Sequence, residues 1–123
     1  MRNINEYDVF KKSHQFTLKI YQICKSFPKE EIYSLTSQIK RASYSIPMNL
    51  KEGSVGTEPE FFRYVRIAYS SKEEIDYQLL LARDLGYISK EKWEELSEEL
   101  HDIGKMLYRI LTKRDKKKPK GGG

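Results

Sequence analysis

From Val9 to Phe27 the apolar or small residues fall at positions 9, 10, 13, 16, 17, 20, 21, 24 and 27. That three-and-four spacing is the signature of one buried helical face. Pro28 stops the run, because it lacks the N–H a helix interior needs. A second helix is predicted from about Glu30 to Leu50 or Gly53, with Leu35, Ile39, Ala42, Ile46 and Leu50 on one stripe. Thr57 and Glu60 form the sequence pattern of a capping box, and Pro59 sits in the first turn of the helix that follows. This third helix is predicted to reach about Leu85, with Gly86 as its C-terminal cap. Ser89 opens the fourth, in which Leu96, Leu100, Ile103, Leu107 and Ile110 repeat with the four-three spacing of a packed seam. No comparable stretch alternates with period two, so strands are not expected. Four helices joined by short turns predict an all-α, antiparallel up-down-up-down bundle over residues 1–112.

Some apolar residues are left over. Phe62, Tyr69, Tyr77, Leu80 and Leu81 lie beside the core stripe of the third helix, which is wider than one bundle face needs. A fatter core would use them; with Leu79, Leu80 and Leu81 consecutive, a subunit interface is the favoured reading.

Pro47 interrupts the second helix in mid-pattern. The apolar spacing continues across it to Leu50, which predicts a kink rather than an end, with the carbonyl of Ser43 freed of its helical partner. Arg41 and Glu52 share a helix face but lie about 16 Å apart along it, too far to pair. Each is expected to find a partner on another helix or another chain. Arg41, Asn49, Glu52 and Glu74 are therefore read as a structural polar network, in preference to an acid–base pair made by Glu52 and Glu74.

Charge modifies this picture through its placement. The tail from Lys113 to Lys120 holds six basic residues and one acid, which accounts for the whole net charge of +5. The body up to residue 112 is neutral, yet residues 1–29 carry six basic and two acidic groups while 73–102 carry three basic and ten acidic. Opposite faces of this kind attract each other within one chain or between chains. Residues 113–123 are read as a basic disordered tail in which Gly121 to Gly123 resemble a cloning scar, leaving the origin of the adjacent lysines open. One cysteine, Cys24, provides no disulfide framework and fits a reducing, cytoplasmic setting, and neither a signal peptide nor a membrane span is expected.

Catalytic patterns are sparse. A di-iron carboxylate bundle needs two Glu-x-x-His pairs; only Glu98-Glu99-Leu100-His101 fits, and His14 has Lys11 where its glutamate should stand. No metal or other cofactor is expected. Cys24 lies on the apolar stripe without triad partners, and no phosphate-cradling glycine loop or nucleophile elbow is present. The chain reads as a non-enzyme.

The run Ser26-Phe27-Pro28-Lys29-Glu30-Glu31, then Leu35 with Gln38-Ile39-Lys40-Arg41-Ala42, then Ser45-Ile46-Pro47 with Asn49 and Glu52-Gly53, carries a resemblance. Glu60-Phe61, Ile67-Ala68, Ser71, Glu74 and the stretch from Leu79 to Ile88 extend it, in order, over about residues 7–111. These residues resemble the four-helix-bundle proteins encoded within intervening sequences of bacterial 23S ribosomal RNA genes, the S23 family. The resemblance implies a non-enzymatic bundle assembled as a homopentameric ring. A related branch serves reverse transcriptases of diversity-generating retroelements, where a basic ring engages nucleic acid and the polymerase. Two departures weaken that role for the bundle: Ser54-Val55-Gly56-Thr57 lacks an arginine common in the family, and Tyr69-Ser70-Ser71 stands where many members have Arg-Gly-Ser.

Two function classes follow. In the first, the oligomer is an RNA or DNA accessory factor, with Lys40, Arg41, Arg63, Arg66 and the tail residues Lys113, Arg114, Lys116, Lys117 and Lys118 touching phosphate. In the second, a ring of the same chains is a scaffold for another protein, such as a reverse transcriptase, and the tail only solubilises it.

Overall fold

The computed structural model describes residues 2–117, with side chains given through Lys113. Helices α1 (Asp8–Cys24), α2 (Leu35–Ser54), α3 (Glu58–Asp84) and α4 (Lys90–Lys117) make an all-α chain, and no strand occurs among the described residues. The apolar stripes converge as their spacing requires. Phe16, Ile20, Ile39, Ile46, Leu50, Ile75, Leu79, Leu96, Leu100, Ile103 and Leu107 are fully buried.

The capping box at α3 is present in full: the Glu60 N–H donates to Thr57 Oγ1, and the Thr57 N–H donates to Glu60 Oε1 at 3.0 Å. The two bonds that Glu60 Oε1 accepts, from the Thr57 N–H and from the Thr57 hydroxyl at 2.8 Å, hold the Glu60 carboxyl below its ordinary pKa. Gly86 takes φ +80°, the left-handed geometry that ends α3 and turns the chain toward α4.

Other boundaries differ from expectation. α1 stops at Cys24, and residues 25–27 form tight turns, with the Phe27 N–H bonded to the Cys24 carbonyl. α2 begins at Leu35 instead of near Glu30, because Pro28 opens a separate 3-10 turn over Lys29–Glu31. The carboxylate of Glu31 then reaches forward to accept from the Leu35 N–H at 3.3 Å and across to accept from the Tyr87 hydroxyl at 2.7 Å. A second 3-10 turn, Ile4–Glu6, buries Ile4 against the bundle. Three residues are too few for periodicity to register. The expected break at residue 113 is also absent, since α4 continues through Lys117. Its last turns are rich in cations, which the negative C-terminal end of a helix favours. Lys118, Lys120 and Gly121 to Gly123 lie outside the described residues.

α2 is unbroken across Pro47, which is buried. The Ser43 carbonyl, deprived of a helical donor by the proline, accepts instead from the Thr17 hydroxyl of α1 at 3.1 Å. The same hydroxyl lies 2.9 Å from the Ser13 carbonyl, so one proton is shared between two acceptors.

The seams between helices are unequal. α2 and α3 approach closely at Gly53, where a Cβ would fall 2.8 Å from Tyr64 Cβ and 3.3 Å from Phe61 Cα. Farther along, the Ser45 and Ser71 hydroxyls are 2.9 Å apart. α1 and α4 meet most loosely, across an open groove of about 310 Å³ with Lys11, Lys12 and Lys19 on one wall and Glu99 and Asp102 on the other. Lys19 Nζ bonds to Glu99 Oε1 across it, so the segregated charge of the two segments is used within the chain.

Cys24 is buried, and burial pushes its thiol pKa up to about 11. Only about one thiol in a thousand is then ionised at pH 8. The native chain should therefore resist alkylation by iodoacetamide at that pH and react on unfolding. Stoichiometric labelling of the folded protein within minutes would contradict this placement.

Candidate nucleic-acid interface

Among the described residues, the cations expected to touch phosphate fall on three helices, α2, α3 and α4. On α2, Arg41 is exposed and Lys40 is half-buried, its ammonium 4.9 Å from the ring centroid of Tyr21 on α1. On α3, Arg63 and Arg66 are both exposed one turn apart, and the Arg63 guanidinium lies over the Tyr64 ring at 4.6 Å. Tyr64 abuts Gly53, twelve residues beyond Arg41 on α2 and so about 18 Å farther along that helix. The two pairs are thus not brought together in one chain. Among the described residues, neither Arg41, Arg63 nor Arg66 forms an ion pair. All three guanidiniums face solvent, and that of Arg63 also acts on the Glu60 carboxylate one turn back. Lys113 is exposed on α4, and Arg114, Lys116 and Lys117 continue that helix.

The polar network expected around Arg41 is not assembled within the chain. Arg41, Glu52 and Glu74 are exposed, and among the described residues neither Arg41 nor Glu52 has an ionic partner. Asn49 alone is buried, and its amide donates to the Ser45 carbonyl at 2.7 Å and the Ser45 hydroxyl at 2.9 Å. Glu74 accepts only a long bond from Gln78, at 3.4 Å. The helical wheel places Arg41 and Glu52 on the outer face of α2, so a partner for either charge would have to come from another chain.

The expected interface residues also separate. Phe62 is buried in the chain's own core, its ring edge-on to Phe61, so it is not spare surface. Leu80 and Leu81 are half-buried. Tyr69 leans toward Tyr108 of α4, with ring centroids 6.4 Å apart. Tyr77 is the one that projects, at 63% exposure. A different apolar group lies on the outer face of α1 and α2: Leu18, Tyr21, Tyr44 and Met48 are all exposed, and Lys40 bridges the two helices over Tyr21. Sequence spacing assigned Tyr21 to the core stripe, and its exposure shows that stripe to be narrower at its α2 edge.

Beside Tyr69 the structure reveals a basic cluster that spacing alone did not single out. Lys72, His101, Lys105 and Arg109 gather with Tyr69 and Tyr108 between α3 and α4. Lys105 and Arg109 are one turn apart, a signal legible in the sequence; their meeting with Lys72 depends on which faces of α3 and α4 oppose.

The family model for the 23S rRNA-intervening sequence protein matches residues 5–109. The chain belongs to that family. A solved structure similar to this 23S rRNA-intervening sequence family member is a protein of unknown function from the S23 ribosomal protein family of Bacteroides thetaiotaomicron. It is 27% identical, with a TM-score of 0.78, over 85% of this chain and 95% of that one. Comparison with curated protein sequences finds no match. Among the described residues, no helix is long and apolar enough to cross a membrane.

Proposed function

We propose that this chain is a non-enzymatic cytoplasmic accessory protein that assembles with copies of itself and binds RNA or DNA through phosphate contacts. The observation that carries the reading is the set of outward guanidiniums, Arg41, Arg63 and Arg66, with no ion pair among the described residues. Self-assembly supplies what one chain lacks. The two cationic pairs are too far apart to grip one phosphate, and repetition around a pentameric ring multiplies each of them. An antiparallel up-down-up-down arrangement is supported by Gly53 meeting Phe61 and Tyr64 while Ser45 meets Ser71, as sequence number rises on α2 and falls on α3.

A second reading has its own observation. The exposed apolar side chains Leu18, Tyr21, Tyr44 and Met48 on one face suit a protein partner, which makes the chain a scaffold.

Fluorescence anisotropy with single-stranded RNA and duplex DNA tests the first reading. Binding is expected to show little sequence preference and to weaken steeply as salt rises from about 50 to 200 mM. Removing residues 113–123 takes away the net +5 and should lower the affinity at low salt, while circular dichroism stays helical because the core ends at Leu111. Absence of binding at about 50 mM salt, where phosphate contacts are strongest, leaves the scaffold reading in its place.

A further inference from the structure

The groove between α3 and α4, about 340 Å³ in volume, is built from parts that suit one kind of ligand. Its large apolar surfaces are two tyrosine rings, Tyr69 half-buried and Tyr108 59% exposed, tilted 47° to each other. Every other side chain lining it is cationic or titratable to a cation, and no aliphatic residue contributes. His101, Lys105 and Arg109 succeed one another at four-residue steps along α4, and exposed Lys113 extends the row.

Lys72 enters from α3 in an unusual way. Its stem lies over the bare backbone of Gly104, where a Cβ would sit 2.7 Å from Lys72 Cε and 3.3 Å from Nζ. The glycine thus admits a lysine that is only 12% exposed, with its ammonium 5.5 Å from the Tyr69 ring centroid. Two carboxylates temper the charge. Glu73 holds Lys72 Nζ at 2.7 Å, and Asp102 lies 3.5 Å from Lys105. Glu73 is 57% exposed, and no carboxylate pairs with Arg109 among the described residues.

We propose that this groove is a subsite for single-stranded nucleic acid, in which an unpaired base stacks on Tyr108 while Lys72, Lys105 and Arg109 hold the adjoining phosphates. The inference rests on the nucleic-acid reading above and specifies a place and a strandedness that reading lacks. An aromatic face serves any base that is free of its own stack, and a duplex offers none. A protein anchor of aliphatic side chains would find no matching pocket here, whereas a nucleotide presents a π-face and an anion together.

The test is anisotropy of a short fluorescent oligouridylate with the full chain at about 50 mM salt. Tyr108→Ala should weaken binding by about 5-fold to 100-fold, and Tyr108→Phe should retain it, because the ring and not the hydroxyl is used. Arg109→Ala should reduce the salt slope by about 0.7, the contribution of one single-strand phosphate contact. Gly104→Ala, which displaces Lys72, should weaken binding in a chain that remains folded by circular dichroism. An oligonucleotide carrying iodouridine should photocrosslink to the peptide containing Tyr108. If Tyr108→Ala binds as the parent does while Arg41→Ala, Arg63→Ala and Arg66→Ala together abolish binding, the groove is overturned and the broader function stands. If the unmodified chain binds duplex DNA but not the oligouridylate, the groove is overturned and the function stands; if it binds neither, the function fails and the groove with it.

Discussion

Gly53→Ala is expected to destabilise the bundle by about 1–3 kcal/mol, the usual cost of forcing extra volume into a packed seam. Gly104→Ala should leave stability unchanged or slightly raised. Both glycines are helical, and helix propensity alone favours alanine at each by about 1 kcal/mol. The difference lies in what the new methyl meets. At Gly53 it meets Tyr64 Cβ at 2.8 Å and Phe61 Cα at 3.3 Å, atoms fixed to the backbone of α3 that yield only if the two helices part. At Gly104 the nearest atom is the Cε of Lys72, near the end of a flexible side chain that turns aside. Urea melts of the two variants decide the matter. Equal midpoints for Gly53→Ala and the parent would show that the α2–α3 seam has slack the structure does not contain.

Thr17→Val should cost about 1–2 kcal/mol, although it exchanges a hydroxyl for a methyl of nearly the same shape. The loss is that of the donor to the Ser43 carbonyl, which Pro47 has deprived of a helical N–H and which is buried between α1 and α2. Leaving a buried acceptor without a partner carries a penalty of about 1–3 kcal/mol, less whatever the added methyl gains from burial. The mechanism makes a sharper claim through the double variant. Pro47→Ala restores an N–H four residues after Ser43, so in that background Thr17→Val should cost distinctly less, with a coupling of about 1 kcal/mol. Additive effects in a double-mutant cycle would mean that the hydroxyl stabilises the chain by some other route.

The core was legible because it depends on spacing alone. Ile39, Ile46, Leu50, Leu96, Leu100, Ile103 and Leu107 were placed inside by periodicity and are inside. Signals that act within one turn were legible too, such as the Thr57–Glu60 box and the positive φ of Gly86. The Ser43 carbonyl freed by Pro47 was expected; its acceptor role toward Thr17 was not, since residues 26 apart meet only through packing. The helix-start error at α2 has a similar origin. Glu31 reads as helical by propensity, yet its carboxylate is committed to Tyr87 of the α3–α4 turn. Arg41 and Glu52 share a helical face as their spacing requires, and in the single chain that face is exposed. Spacing places two residues on one side of a helix and does not say whether that side looks inward.

The loose seam between α1 and α4 gives the molecule an edge that opens first. Side chains interlock where α2 meets α1 and α3, whereas Lys19 and Glu99 close the fourth side at 48% and 32% side-chain exposure. Surface pairs of this kind contribute little and are screened by salt. The bundle therefore resembles a rolled sheet whose overlap is held by the buried contacts of Phe16 and Ile20 and trimmed by one salt-screened pair, with α1 as the flap. Its backbone amides are expected to exchange with solvent hydrogen through a partial opening that becomes easier as ionic strength rises, while those in the middle of α2 and α3 wait for global unfolding. Protection in α1 that equalled the rest of the chain and ignored salt would place the weak edge elsewhere. An edge that loosens without unfolding the remainder lets one helix adjust its position while the surfaces of α2 and α3 stay fixed.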